Sequence, residues 1–264
     1  MSLRIQTNVE AFRAHRNLET TQGAAARSME KLSSGFRINR AADDAAGLAI
    51  SEGLKSQVMG AAQASRNVAD GVSLVQTAEG ALDQVHAMLQ RVRELAVQYN
   101  NGTLQDSDKA SLTAEAEQLC AEVDRITAGT KFNGIDLMGA GTITLQVGTM
   151  GDSNDQIGFN VADLATDAPS LAFSLASIDD IDTAIKAVST ERGRLGSIQN
   201  RLEYTQAQLG IYQENISDSL SRIKDVDMAS EMVKFTKAQI MQQAGTAMLA
   251  QANQAPQSVL SLLK

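Results

Sequence analysis

The sequence predicts a mainly α-helical protein: an elongated antiparallel helical bundle or coiled-coil rod with a small β-hairpin region and with its N- and C-termini paired as helices. Apolar residues repeat every seven positions in three long segments, which is typical of packed long helices. Aromatic residues make up 3% of the 264 residues, and Trp is absent. Compact globular interiors usually need bulky rings, whereas thin helical packings can be filled with Ala, Leu, Val and Ile.

The two ends of the chain carry amphipathic segments that are poor in rings. Apolar residues recur there at helical steps of three and four, and we assign them as assembly seams: Ala25, Met29, Leu32 and Phe36, and Met241, Ala244, Met248 and Ala252. Such segments bury little apolar surface alone to offset the entropy of ordering. The residues alone leave two interpretations open: the ends pair within one chain, or they stay mobile until identical chains supply the missing surface.

The first heptad repeat predicts a long helix that ends near residue 100. Its members are Val68, Val75, Leu82, Leu89 and Ala96. The run 100–102 (NNG) favours a helix end because Asn and Gly tolerate the left-handed conformation, and we expect Ser107 to cap the next helix. In this first helix Val92 and Ala96 are predicted to face the core. Other residues of the stretch are then predicted to lie on other faces: Gln90, Arg91, Glu94, Leu95 and Gln98.

Two further heptad repeats predict two more helices. The shorter repeat consists of Leu112, Leu119 and Ile126, with Ala116 and Val123 between them. The longer repeat consists of Ile181, Val188, Leu195, Leu202, Leu209, Ile216 and Ile223. A capping box at residues 177–180 (SIDD) starts this last helix, and it explains the nearby acidic residues better than a cation site does.

A second row along the longest predicted helix has a polar centre. Its members are Ile178, Ile185, Arg192, Gln199, Gln206, Gln213 and Leu220. We keep two interpretations of this row, a half-solvated helix face and an intersubunit surface with adjustable hydrogen bonds.

Apolar and polar residues alternate in the middle of the chain, in residues 142–147 and 156–161, which predicts a β-hairpin. The acidic turn between these strands invites a calcium-loop interpretation. We reject it because Ile157 stands where such a loop needs Gly, and Asp163 replaces the bidentate Glu. A short linker is expected around Pro169.

The composition excludes several chemistries. His15, His86 and Cys120 are the sole soft metal ligands, so neither a disulfide framework nor a zinc or haem site is expected. Cys120 is interpreted as an inert small hydrophobe rather than a redox group. No nucleophile–base pair or phosphate-binding loop is found, so we predict no enzyme activity and no cofactor. The net charge of −8 argues against nucleic acid as a partner, and no apolar run predicts membrane insertion.

Several longer motifs, in order and near both termini, resemble those of bacterial flagellins. The N-terminal signature is matched by residues 33–50 (SSGFRINRAADDAAGLAI). The C-terminal half is matched by residues 199–202 (QNRL), 214–216 (ENI), 221–229 (SRIKDVDMA) and 248–254 (MLAQANQ). The large variable insertion of many flagellins is missing, so the sequence resembles a short member of that family.

The resemblance implies a structural subunit that polymerises into the helical flagellar filament used for swimming motility. It implies a terminal coiled-coil domain of residues 1–40 with 225–264, which lines the filament lumen and forms on assembly. It also implies a helical rod domain of residues 41–224, with a β-hairpin region at 131–168 and no separate outer domain. The first residues contain no apolar secretory signal, and the family is exported unfolded by the flagellar type III system to the extracellular filament.

The resemblance further implies partners other than the chain itself. These are a flagellar export chaperone, the cap, the hook–filament junction proteins and the vertebrate Toll-like receptor for flagellin. Residues matching the pattern of the receptor-binding stretch are Gln90, Arg91, Leu95, Gln98 and Glu115. Leu119 departs from that pattern, because receptor-activating relatives can have a basic residue there, so weakened recognition is expected.

Two alternatives to a filament subunit remain at this point. A hook–filament junction protein has related termini but joins the filament rather than building it. A soluble signalling coiled coil of the chemoreceptor type shares the heptads but would not need the hairpin. Self-assembly of the pure chain into long filaments distinguishes these alternatives from the main prediction.

Overall fold

The structure, a computed structural model, describes residues 8–139, 141–160 and 175–262. Most of these residues belong to five helices: α1 (Val9–Ser34), α2 (Ala45–Tyr99), α3 (Asp106–Gly129), α4 (Ile178–Lys224) and α5 (Met228–Leu262). Short strands lie between α3 and α4: β1 (Lys131–Phe132), β2 (Ile135–Asp136), β3 (Thr142–Gln146) and β4 (Gln156–Asn160). The predicted mainly helical fold with a small hairpin region is confirmed.

The chain divides into two compact units, residues 1–56 with 215–264 and residues 57–214. The domain boundaries expected at residues 40 and 225 remain a prediction. The expected linker around Pro169 and the end of the second strand at Val161 lie outside the described residues.

Heptad residues of α2, α3 and α4 form the core of the unit 57–214. Each member of the first repeat is at most 4% exposed: Val68, Val75, Leu82, Leu89 and Ala96. These residues pack with Val123 of α3 and with Ile181, Leu195 and Leu202 of α4, which are also buried. Their burial removes apolar surface from water, which is the main force that stabilises this unit.

The predicted hairpin is formed by β3 and β4, which pair antiparallel with Leu145 opposite Ile157. It is held against α2 in two ways. The side-chain amide of Asn67 donates to the carbonyl of Gln146 at 3.0 Å. Leu145 also lies so close to Gly71 that a β-carbon at that position would clash with its Cδ1 atom.

A second hairpin, β1–β2, lies inside the expected hairpin region 131–168 but outside the two strands predicted by alternation. Its two-residue turn consists of Asn133 (φ 49°) and Gly134 (φ 81°), both left-handed. This conformation is typical of the Asn-Gly turn that joins tightly twisted strands. The Asn-Gly pair was therefore the available signal.

The helix ends follow local capping chemistry, with one correction. Helix α2 ends at Tyr99, as the Asn and Gly residues after it predicted. The expectation that Ser107 caps α3 is wrong: Gln105 is the cap, and its backbone N–H donates to the Asp108 carboxylate at 3.4 Å. Asp108 can reach back from the third helical position, which places Ser107 inside the first turn. None of the described helices has a segment apolar and long enough to cross a membrane.

Candidate functional site

Helices α1 and α5 pack against each other along what we call the inner seam. Its members are buried or half-buried and follow steps of three and four: Ala11, Ala14, Leu18, Thr21, Ala25, Ser28 and Leu32 on α1, and Glu231, Phe235, Ala238, Gln242, Gly245, Leu249 and Ala252 on α5. Contacts of Ser28 with Glu231, and of Asn8 with Ala252, show that the helices are antiparallel. The spacing is that of a two-stranded coiled coil.

Ser28 and Glu231 make a buried polar contact within the inner seam. The Ser28 hydroxyl donates to Oε1 of Glu231 at 2.7 Å, and Nζ of Lys234 lies 2.9 Å from Oε2. Both donors favour the ionised carboxylate, so they hold the pKa of Glu231 below its ordinary value, with Ser28 the larger cause. This pair was not predicted from the sequence. The available signal was that Glu231 occupies the same heptad position as Ala238 and Gly245.

In the half of the α1–α5 pair nearest the chain ends, none of the described side chains is fully buried. Leu18 lies over Gly245, where a β-carbon would come within 3.2 Å of its Cδ1 atom. Asn8 caps α1 by accepting from the Ala11 N–H at 3.0 Å, and its amide donates to the Ala252 carbonyl at 2.7 Å. An open groove of about 550 Å³ lies beside these contacts, between Arg13 and Asn17 of α1 and the facing turns of α5.

At the other end, the linker after α1 is joined by backbone hydrogen bonds to the end of α4 and the residues that follow it. We call residues 35–37 and 223–226 the junction. The Arg37 N–H donates to the Lys224 carbonyl at 2.7 Å, and the Val226 N–H donates to the Gly35 carbonyl at 3.0 Å. Gly35 is in the left-handed conformation (φ 75°) that ends α1. The junction therefore fixes where α1 ends relative to where α5 begins.

The Lys224 side chain holds the junction to α2. Its ammonium group lies 3.0 Å from Oε1 of Glu52 and 5.1 Å from the centre of the Phe36 ring. The Lys224 side chain is 16% exposed, so solvent screens its interactions only partly.

The structure divides the residues assigned as assembly seams into two groups. Ala25, Leu32 and Ala252 belong to the inner seam. The other five are exposed at the surface of this unit: Met29, Phe36, Met241, Ala244 and Met248. No contact of one chain with another is present, so an assembly role for either group stays a prediction.

The exposed side of α5 carries six apolar residues, which we call the outer stripe: Met232, Val233, Ile240, Met241, Ala244 and Met248. The polar residues Thr236 and Lys237 lie between Val233 and Ile240 on this side. The exposed fraction of its larger side chains runs from 49% for Met232 to 69% for Val233. Methionine side chains are flexible and adapt to irregular apolar partners. Several exposed apolar side chains on one side of a helix indicate an interaction surface.

The residues matched to the receptor-binding stretch are only partly brought together on the surface. Arg91 of α2 bonds Glu115 of α3 at 2.8 Å and Glu94 at 3.0 Å. Gln90 is exposed and lies 2.9 Å from His86, and Gln98 is exposed as well.

The expectation that Leu95 lies away from the core is wrong. Its side chain is 1% exposed and packs with Val92, Ala96, Ala116 and Ile181. A two-helix seam buries a narrow stripe, but α2 packs against both α3 and α4 at this level, and its buried face widens to include Leu95. Leu119, where the sequence departs from the receptor pattern, is half-buried against the same cluster.

The polar row of α4 is held mainly by charges and amides at or near the surface. Arg192 lies 2.9 Å from Asp83, and the Gln199 amide donates to Glu203 at 3.0 Å. Gln206 is exposed. Both interpretations of this row therefore stay open.

The described residues offer little reactive chemistry. Among residues 8–139, 141–160 and 175–262, no cluster of His, Cys, Asp and Glu is placed to hold a metal ion. Cys120 is half-buried, and burial together with Asp124 and Glu117 raises the pKa of its thiol. A raised pKa leaves little of the reactive thiolate at neutral pH.

Comparison with known proteins identifies related sequences over nearly the whole chain. The family model of the bacterial flagellin N-terminal helical region matches residues 5–142, and that of the C-terminal helical region matches residues 178–263. A flagellin of Halalkalibacterium halodurans is 49% identical over 270 residues, covering 98% of this chain and 99% of the relative. A flagellin of Bacillus subtilis is 42% identical over 305 residues, covering 99% of this chain and 100% of the relative.

A solved structure shares the fold. It is described as a flagellar hook-associated protein from Vibrio parahaemolyticus, and all of it aligns with 69% of this chain at a TM-score of 0.57. The sequence identity is 15%, so this likeness concerns the fold alone.

Proposed function

The chain belongs to the bacterial flagellin family, whose members are structural subunits of the flagellar filament, and we propose that its terminal helices α1 and α5 drive its assembly into that filament. The family places the protein in an extracellular appendage. Identity over nearly the full length of other flagellins favours a filament subunit over a signalling coiled coil.

The exposure of the outer stripe is the observation that supports the proposed role of the terminal helices. A pair of helices can bury one face of each helix, and the inner seam already uses that face on α5. Burying a side chain such as Met or Ile contributes roughly 1.5–3 kcal/mol. Several outer-stripe side chains buried per subunit would therefore offset much of the roughly 4–15 kcal/mol that association costs in lost freedom.

Assembly of this kind needs contacts between different surfaces of neighbouring subunits. Such heterologous contacts generate open helical polymers rather than closed rings. In this proposal the terminal pair, residues 1–40 with 225–264, lines the lumen of the filament and orders fully on assembly. The groove beside Leu18 and Gly245 is the surface left for a neighbouring chain.

Substitutions in the outer stripe test this proposal. Met241→Gln with Met248→Gln removes apolar surface from the stripe while leaving the inner seam intact. We expect filament yield from purified chain, measured by sedimentation after seeding, to fall at least about tenfold. Met150→Gln is the matched control, because it makes the same chemical change at a side chain of similar exposure in the hairpin turn. Equal filament yield from the stripe variant and the control would contradict the proposal.

A second proposed function is recognition by the vertebrate Toll-like receptor for flagellin. The supporting observation is that Arg91 and Glu115 form one exposed ionic cluster across α2 and α3, flanked by the exposed Gln90 and Gln98. In this proposal Leu95 supports the surface from beneath rather than touching the receptor. Soluble chain should activate a receptor reporter, Leu119→Arg should increase the response, and Arg91→Ala should reduce it. A wild-type chain without any response would refute this role.

Export and accessory partners follow from family membership and are proposed on that basis. We infer that the flagellar type III system exports the chain unfolded and that an export chaperone, the cap and hook–filament junction proteins bind it. Loss of secretion in a strain lacking the flagellar export apparatus would support the route. Undiminished secretion in that strain would contradict it.

A further inference from the structure

The terminal helix pair is closely packed at one end and open at the other. Among the side chains described on α1 and on α5 up to residue 254, the buried ones are Ser28, Glu231 and Ala238. All three lie in the half nearest the junction. The open groove of about 550 Å³ lies in the opposite half, beside Leu18 and Gly245. Closely packed contacts retain more stabilising free energy than contacts beside a groove.

The junction also lowers the entropic cost of bringing the two helices together. Its hydrogen bonds hold Gly35 beside Val226, within a few residues of Ser28 and Glu231. The contact of Asn8 with Ala252 joins residues 244 apart in sequence, and both helices must already be formed to align it. Once a first interhelical contact exists, each further turn adds contacts while fixing few residues.

Resting on the proposed assembly function, we propose that the terminal pair forms directionally: the junction and the Ser28–Glu231 contact order first, and pairing then proceeds towards the two chain ends. Ser28 and Glu231 act as positioning residues in this process. They align the small residues of the inner seam, which offer little shape to distinguish one alignment from another.

The order of events has a consequence for filament growth. An incoming subunit aligns its terminal helices at the junction before its distal half contacts a neighbour. The distal half, with its groove, closes last. Junction contacts should therefore control the rate at which subunits add, and distal contacts should control the rate at which they leave.

Seeded growth of purified full-length chain tests this order. Elongation and dissociation rates at filament ends are measured separately, by light scattering after addition of seeds and after dilution. Ser28→Ala should slow elongation about fivefold or more, because a buried carboxylate loses a donor, and should change dissociation less than about twofold. Leu18→Ala should raise dissociation roughly tenfold and leave elongation within about twofold.

Two further variants distinguish this order of pairing from a general destabilisation of the terminal helices. Thr20→Ala is the matched control, because its hydroxyl bonds only within α1, to the Arg16 carbonyl at 2.9 Å, and both rates should stay unchanged. Glu231→Gln keeps an acceptor for Ser28 and should slow elongation less than Ser28→Ala does. Equal slowing of elongation by Leu18→Ala and Ser28→Ala, or a Ser28→Ala effect confined to dissociation, would overturn the inference. A wild-type chain that does not elongate would instead refute the proposed assembly function.

Discussion

Ser28 and Glu231, 203 residues apart in sequence, share a buried hydrogen bond of 2.7 Å between the first and last helices of the chain. The helices around this bond meet mainly through small side chains such as Ala25, Ala238 and Gly245. A satisfied polar contact in such a seam specifies alignment, because any other alignment leaves the buried carboxylate of Glu231 without the Ser28 donor. The contact therefore links the two ends of the sequence in a defined register.

Because Glu231 is bound as a carboxylate, we expect the pairing of α1 with α5 to weaken in acid. Its folded-state pKa lies below the 4.5 of an ordinary glutamate, because Ser28 and Lys234 stabilise the carboxylate. Its contribution to stability is therefore complete above pH 4.5 and is lost as the pH falls through the lower folded-state pKa. We expect the sedimentable fraction of filaments to fall less steeply in Glu231→Gln than in wild type between about pH 6 and about pH 3.

Glu19→Gln is the control for this pH measurement, because it makes the same substitution at a side chain of α1 that is 68% exposed. Its pH profile should follow that of the wild type. Identical profiles for Glu231→Gln and the wild type would show that Glu231 does not contribute to the acid response.

Replacing Gly with Ala should change the stability of the unit 57–214 differently at two positions of α2, Gly80 and Gly71. Gly80 has open space around it, so Gly80→Ala should stabilise the unit 57–214 by roughly 0.5–1 kcal/mol through helix propensity. A β-carbon at Gly71 would clash with Leu145 and would also touch Leu202, so the Leu145 side chain would have to shift. Gly71→Ala should therefore be less stable than Gly80→Ala by about 1–3 kcal/mol in urea unfolding followed by circular dichroism. Equal stabilisation by both substitutions would show that the hairpin does not rest on Gly71.

The burial of Leu95 predicts that its substitution lowers the free energy of unfolding, whereas the family resemblance matched Leu95 to a receptor-binding surface. Leu95→Ala should destabilise the unit by roughly 2–4 kcal/mol, because it leaves a cavity beside Val92 and Ile181. Gln98→Ala, one turn away and exposed, should change the free energy of unfolding by less than about 0.5 kcal/mol. The measurement is urea unfolding of both variants. A Leu95→Ala chain as stable as the wild type would contradict the burial of this residue.

The fold was predictable where one periodic signal dominates. The repeat from Val68 to Ala96 predicted the buried face of α2, and alternation predicted the hairpin in which Leu145 lies opposite Ile157. These patterns are local, because a helix or strand repeats its buried face at a fixed spacing.

The site was less predictable because it depends on what the helices pack against. On α5 the Met residues 241 and 248 were the apolar signal, yet the inner seam uses Gln242 and Leu249, one residue further along. Small seam residues let two helices approach closely, which leaves the bulky Met side chains outside. The burial of Leu95 needs a third helix, and the Ser28–Glu231 contact needs two ends of the chain to meet. The residues that each helix packs against are therefore not evident from the sequence of that helix alone.

Negative-stain electron microscopy of the purified full-length chain, beside a chain lacking residues 1–30, shows whether the terminal helices drive assembly. Both preparations are depolymerised and returned to assembly conditions, and circular dichroism and urea unfolding confirm that the unit 57–214 is folded in each. We predict long filaments from the full-length chain and none from the truncated chain, because α5 then has no partner for its inner seam. Filaments from the truncated chain, or their absence from the full-length chain, would contradict a terminal helix pair that drives assembly.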